Sequence, residues 1–235
     1  MNLNRVTRAD DLVPAETALI SVADKRGLPE FIPALWQTVP NLEIYSSGGT
    51  FRAVESVADE IGKRGQVHEV SEYTGQPEMQ GGLVKTLDYR IYLGLLSERY
   101  NESHQSDIAR LKALNFDITI CNFYPFESTA AERNVTIEDL RTHIDIGGPT
   151  MLRASAKNFL RVTAVWDPDD YSALIHELGN GDGATTLSFR AAMAAKAFRY
   201  TAHYENAIAG ALGSYIAGTA AWDSVYDLSE TVDRR

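Results

Sequence analysis

The sequence predicts a doubly wound α/β fold, with a mostly parallel sheet covered on both faces and helical additions toward the C-terminus. Three observations predict it. Short apolar runs alternate with amphipathic segments through the first two-thirds of the 235 residues, the pattern of strands joined by crossover helices. Glycine-rich turns open two of those helices. An Ala-rich, periodic stretch closes the pattern.

Taken in order, Ala18–Val22 reads as a short buried strand, Ala23–Gly27 as a turn, and a helix begins near Leu28. Pro29 suits a first helical turn, whereas Pro33 is expected to bend or delay the helix. Leu42–Tyr45 is a second strand, and Ser46–Thr50 a turn into a helix carrying Phe51, Val54 and Val57. Gln66–Val70 is a third strand, and Ser71–Lys85 is too rich in Gly, Pro and polar residues for a regular element. Arg90–Leu96 reads as a strand, Ile108–Leu114 as a helix, and Asp117–Phe123 as a strand rich in β-branched residues. Helices are expected over Ile137–His143 and Thr150–Asn158, then a strand over Val162–Trp166 closed by Asp167-Pro168. Asp169 and Asp170 stand where a following helix favours acidic residues. Leu187–Ala217 is one long helix or a helix pair. No repeat or linker divides the chain, so residues 1–235 read as one domain with its core over about 18–212.

Composition narrows the function classes. The net charge of −10 argues against a nucleic-acid or membrane surface, which needs clustered Lys and Arg. It leaves room for a phosphorylated small molecule, which needs only a few local donors. One cysteine, Cys121, excludes an internal disulfide and fits a reducing compartment. No apolar run approaches the roughly 20 residues of a membrane span, and Met1–Asp10 lacks the apolar core of a secretory signal. A cytoplasmic protein is expected. The five histidines show no metal-ligand spacing, so no metal is assigned.

In a doubly wound sheet, ligands bind at the carboxyl ends of the strands. Asp24 and Lys25 follow the first strand, and Ser47-Gly48-Gly49-Thr50 follows the second and opens a helix. The glycines let backbone N–H groups approach an anion, and a helix N-terminus adds partial positive charge. Lys85-Thr86 supplies a cation and a hydroxyl; Cys121-Asn122 and Tyr124 end the strongest strand. Asp145, between Ile144 and Ile146, leads into a second glycine turn, and Lys157 lies two helical turns beyond Thr150. Singly, each has a plainer reading: solvated lysines, a helix cap at Asp145, a small core cysteine.

Together the segments SVADK, SSGGT, VSEYTGQPEM, VKTL, CNFYPFE, IDIGGPTMLRASAKN and AAKAFRYTAHYENAI resemble the cyclohydrolase part of the bifunctional purine-biosynthesis proteins, whose other part is a formyltransferase. The resemblance implies a methylglyoxal-synthase-like fold and the closure of a formylated imidazole carboxamide ribotide to inosine 5′-monophosphate, with loss of water and without a cofactor. By position it implies that Asp24, Lys25, Ser47, Gly48, Gly49, Thr50, Lys85 and Thr86 hold the ribotide and its phosphate, and that Cys121, Asn122, Asp145 and Ile146 contact the base. It further implies that Lys157 is proton donor and acceptor, with Tyr124, Asp145 and Lys85 completing the catalytic group.

The chain departs from the family pattern at Ala23 (usually Ser), Leu83 (usually Arg), Asp88-Tyr89 (usually His-Pro) and Tyr92 (usually His). Leu83 removes an expected ligand contact, and Asp88 is expected to add negative charge beside the phosphate. The resemblance also implies a homodimer. Because Arg235 precedes any formyltransferase domain, the substrate is expected to arrive by diffusion or from a separate formylating enzyme. Two other functions remain open: a nucleotide sensor that performs no turnover, and a triose-phosphate lyase. The lyase chemistry wants a histidine near the phosphate, and the glycine turns have none nearby.

Overall fold

The computed structural model describes residues 5–76, 86–218, 222 and 225–228. They fall into two compact units: one from residues up to Phe123 together with Ile146–Arg199, the other from Tyr124–Asp145 together with the chain from Tyr200 onward.

The first unit is built on five parallel strands in the order β4-β3-β2-β5-β6: β2 (Thr17–Val22), β3 (Glu43–Ser46), β4 (Val67–Glu69), β5 (Ile118–Asn122) and β6 (Thr163–Val165). Ala18 pairs with Ile44 on one side and Ile118 on the other, fixing the register of the centre. All five residues of β5 are buried, as expected of a strand with helices on both faces. One layer contains α1 (Leu28–Thr38), α2 (Gly48–Glu60) and α9 (Tyr171–Asn180), where Phe31, Leu35, Val54 and Leu174 close a core over Ile20, Ile44 and Ile120. The other contains α4 (Tyr89–Leu96), α5 (Glu102–Leu111) and α8 (Gly147–Lys157), with α8 packed on α4, β5 and β6. The short α3 (Val70–Thr74) follows β4. This is the doubly wound α/β fold that the alternation of elements predicts.

Several expectations need correcting. Arg90–Leu96 is a helix. Its apolar residues are buried at Ile91, Gly94 and Leu95, a helical spacing, and Asp88 caps it by accepting from the Arg90 amide at 2.8 Å. Gly94 permits the packing: a Cβ there would lie 2.1 Å from the Leu114 carbonyl oxygen. Pro33 sits inside α1 without delaying or ending it. The third strand stops at Glu69, because Val70 starts α3, which Gly75 ends at φ 68°. Two strands went unpredicted, β1 (Leu12–Pro14) and β7 (Ala184–Thr186), which form an antiparallel ribbon. The fully buried Arg190 holds that ribbon by donating to the carbonyls of Asp10, Asp11, Phe159, Leu160 and Thr185.

The second unit contains α6 (Phe126–Ala130), α7 (Ile137–Thr142) and, from Tyr200, the last part of α10 (Leu187–Ala217). Leu187–Ala217 is therefore one continuous helix and not a pair. A capping box joins Thr136 and Asp139 at the start of α7, and the ring of Phe126 meets Tyr204 edge-on at 6.3 Å. Among the described residues, no helix is long and apolar enough to cross a membrane.

Candidate active site

Parallel strands end on one side, so the segments after β2, β3 and β5 converge at the carboxyl edge of the first unit's sheet. Thr50 joins two of them: its buried hydroxyl accepts from the Val22 amide at 3.0 Å and donates to the Val22 carbonyl at 2.9 Å. Asn122 joins a second pair. Its Oδ1 accepts from the Asp24 amide at 2.9 Å, while Nδ2 donates to the carbonyls of Asp24 and Trp166 at 3.2 and 3.3 Å. With Asn122 only 7% exposed, these bonds make it a clip across the ends of β2, β5 and β6. Cys121 is buried too, its thiol 3.5 Å from the Gly148 carbonyl. Thr50, Cys121 and Asn122 thus build the edge with their side chains.

The groups that remain to face a ligand gather at the start of α2. Gly48 takes φ 54°, which glycine adopts without strain, and Ser47 makes no side-chain cap bond to the helix. The first-turn N–H groups of a helix lack intrahelical acceptors, and no acidic residue stands in this first turn. Lys25 bends over the turn, its Nζ donating to the carbonyls of Val22 and Ala23 at 3.3 and 3.5 Å. A methyl group placed on Gly49 would lie 3.9 Å from both Lys25 Nζ and Arg52 Nη2. Two cations therefore converge over a helix N-terminus, an arrangement suited to an anion. Arg52 was missed in the sequence, where one arginine on an amphipathic helix looks merely solvated. Its position in the first turn after SSGGT was the available signal.

Asp24 is engaged by its own neighbour. It accepts from the Arg26 backbone amide at 2.9 Å and from Arg26 Nε at 2.8 Å, bonds that hold its carboxyl below the usual range. Asp88 is buried and balanced locally, Oδ2 accepting from Gln76 Nε2 at 2.9 Å with Arg90 Nε 3.6 Å from Oδ1. Its expected negative field is thus met by its own helix. Thr86 is buried; Lys85 and Leu83 lie outside the described residues.

The MGS-like domain model matches residues 30–150, more than half of the chain. The chain belongs to the MGS-like domain family. A second model, the AICARFT/IMPCHase bienzyme, matches residues 155–232 beyond that MGS-like segment. The bifunctional purine biosynthesis protein PurH of Acidithiobacillus ferrooxidans is 44% identical over 197 residues, 84% of this chain and 36% of that protein. PurH of a Nostoc species is 40% identical over 205 residues, 87% of this chain and 38% of its own. The chain thus spans little more than a third of the length of these relatives. The crystal structure of ForH superposes with a TM-score of 0.67 at 29% identity, covering 84% of this chain and 99% of that one.

One strand end and one helix start lead to the remaining candidates. Tyr124 follows directly on Phe123 after β5 and is 65% exposed; Asp145 directly precedes Ile146, the exposed N-cap of α8. Both belong to the second unit. In that unit the Asp145 amide donates to the Tyr204 hydroxyl at 2.8 Å. The N-terminus of α8 lies at the carboxyl edge beside Cys121, but its C-terminus does not. Ser155 Oγ bonds Thr119 at 2.9 Å, and Thr163 after the helix bonds the Asp117 carbonyl, at the amino end of β5. α8 has 11 residues, so its ends are about 15 Å apart at roughly 1.5 Å per residue. Lys157 occupies the far end, exposed in line with Thr150 and Arg153. Within the first unit, Lys157 is not brought to Lys25 and the α2 turn.

Proposed function

We propose that this protein closes the second ring of a purine nucleotide, converting 5-formamidoimidazole-4-carboxamide ribotide to inosine 5′-monophosphate. The observation that carries the reading is the convergence of Lys25 and Arg52 over the α2 N-terminus, at the carboxyl edge where the second helix N-terminus, that of α8, also begins. The first suits a ribose 5′-phosphate. The second suits the oxygen of a formyl group as it gains negative charge.

In the reaction the carboxamide nitrogen attacks the formyl carbon, forming a C–N bond and a tetrahedral alkoxide. The carboxamide nitrogen gives up one of its two protons, and the alkoxide is protonated to a hydroxyl. That hydroxyl takes a second proton and leaves as water while the formamide nitrogen loses its own proton and forms the ring C=N. An amide nitrogen is a weak nucleophile, so holding a near-attack geometry and stabilising the alkoxide account for most of the acceleration. In this reading Asp145 orients the carboxamide N–H, Tyr124 and Lys85 assist, and Lys157 moves the proton. Since Lys157 sits at the far end of its own α8 and a four-carbon side chain spans less than half of that length, it serves the site of a second copy in a homodimer.

The test is ultraviolet-monitored ring closure by the parent and by Lys157→Ala. Turnover by the parent, with loss of at least about 100-fold in kcat for the variant, is the expected result. A folded, dimeric parent that binds the nucleotide without turnover would replace this reading with a sensor. The separation of Lys157 from the edge within one copy favours that alternative if the protein is a monomer.

A further inference from the structure

We propose that Tyr204, a residue of α10, is a positioning residue that sets the place of Asp145 in the catalytic turn; this rests on the catalytic role of Asp145 given above. Tyr204 is 5% exposed. Its hydroxyl accepts from the Asp145 backbone N–H at 2.8 Å and lies 3.4 Å from the His143 carbonyl, to which it donates. One phenol thus brackets the turn from His143 to Asp145 by both a donor and an acceptor. A hydroxyl can fill both roles at once only while protonated, and burial raises the phenol's pKa above its usual value.

The ring is held in turn by Phe126, packed edge-on at 6.3 Å and 76°. Tyr204 lies on a continuous 31-residue helix, whereas His143–Asp145 is irregular backbone between α7 and α8. A rigid element therefore fixes a loop that carries a reacting group, as a precisely held site requires. The contact reaches Asp145 through its backbone N–H.

The experiment compares Tyr204→Phe, Asp145→Asn and the double variant in steady-state ring closure. The phenylalanine preserves the packing and removes the two hydrogen bonds. The expected result is a fall in kcat of roughly tenfold to a hundredfold, the cost of a misplaced reacting group, with KM changed by less than about twofold. In the Asp145→Asn background the same substitution should cost almost nothing more, because it acts through that residue. An equal loss in both backgrounds would mean a merely structural tyrosine and overturn the proposal. Amide hydrogen exchange in the parent gives a second measure that survives any folding defect of the variant: a protected Asp145 amide supports the bond, and exchange at an open-loop rate removes it. An active parent with an unimpaired Tyr204→Phe sinks this inference alone, while a parent without turnover removes the cyclohydrolase reading and this inference with it.

Discussion

At the scale of single residues, the carboxyl edge separates side chains bonded to the strand-end backbone from cations gathered over the α2 turn. Thr50 is held by the backbone of Val22 at the end of β2 and Asn122 by the backbone of Asp24 and Trp166, and removing either leaves buried donors or acceptors unpaired. Lys25 and Arg52 have no carboxylate partner among the described residues and converge on Gly49. Arg52→Ala is therefore expected to weaken binding of inosine 5′-monophosphate by about 10- to 100-fold, the range of one lost charge-assisted hydrogen bond. Binding of inosine, which lacks the phosphate, should be unchanged, and kcat should hold because the phosphate is gripped alike in ground and transition states. Calorimetric titration of the nucleotide and the nucleoside decides it; equal losses for both would place Arg52 in the scaffold. Lys25 and the glycine turn were legible as candidates because both lie in the turns that follow strands. It could not reveal that Asn122 is a clip, since its partners Asp24 and Trp166 are 98 and 44 residues away.

At the scale of elements, local patterning was legible where the period was long and ambiguous where the run was short. The 11 and 13 residues of α1 and α2 could be read from apolar spacing and turn residues. The eight residues Tyr89–Leu96 fit a buried strand equally well until the Asp88 cap and the close approach at Gly94 decide for helix. β1 and β7 are three residues each and pair across the length of the unit, beyond any local signal. The packing of α9 on α1 makes a prediction at this scale. Tyr171, the first residue of α9, stacks on Phe31 of α1 at 4.2 Å, and its hydroxyl has no hydrogen-bond partner among the described residues. Burial, with the charges of Asp24 and Asp167 adding, pushes this phenol up to about 12. A raised folded-state pKa favours the neutral form in the fold, so its contribution is full below the unfolded value of 10 and lost as pH rises from 10 through about 12. Urea unfolding should show stability falling across that window by up to about 2–3 kcal/mol from this residue. Tyr171→Phe should flatten that fall while leaving stability at pH 7 equal or slightly higher, because it removes an unpartnered buried hydroxyl. An unchanged alkaline slope would show that Tyr171 ionises as freely as an exposed tyrosine.

At the scale of the whole molecule, the direction of α8 decides how a complete site could be assembled. The helix starts beside Cys121 at the carboxyl edge and ends near the amino end of β5, so within the first unit the anion cradle on α2 and Lys157 on α8 lie at opposite edges of the sheet. The seven-residue spacing from Thr150 to Lys157 already contained that separation, since two turns of helix carry a residue about 10 Å along its axis. In the proposed homodimer a site needing both combines two copies, and a twofold dimer then holds two sites, each mixing residues from both chains. This can be tested by complementation. Lys25→Ala and Lys157→Ala homodimers should each be nearly inactive at substrate concentrations below KM. Mixed under conditions that let subunits exchange, half of the dimers are hybrids in which one site carries both lesions and the other carries none. Activity should therefore rise to about a quarter of the parent's under random assortment, tracking the appearance of hybrids captured through a tag carried by one of the two variants. If both lesions fell within one copy's site, every site would stay damaged and mixing would restore nothing. Lys157 would then have to reach the edge of its own chain by movement of α8, against the packing of that helix on β5 and β6.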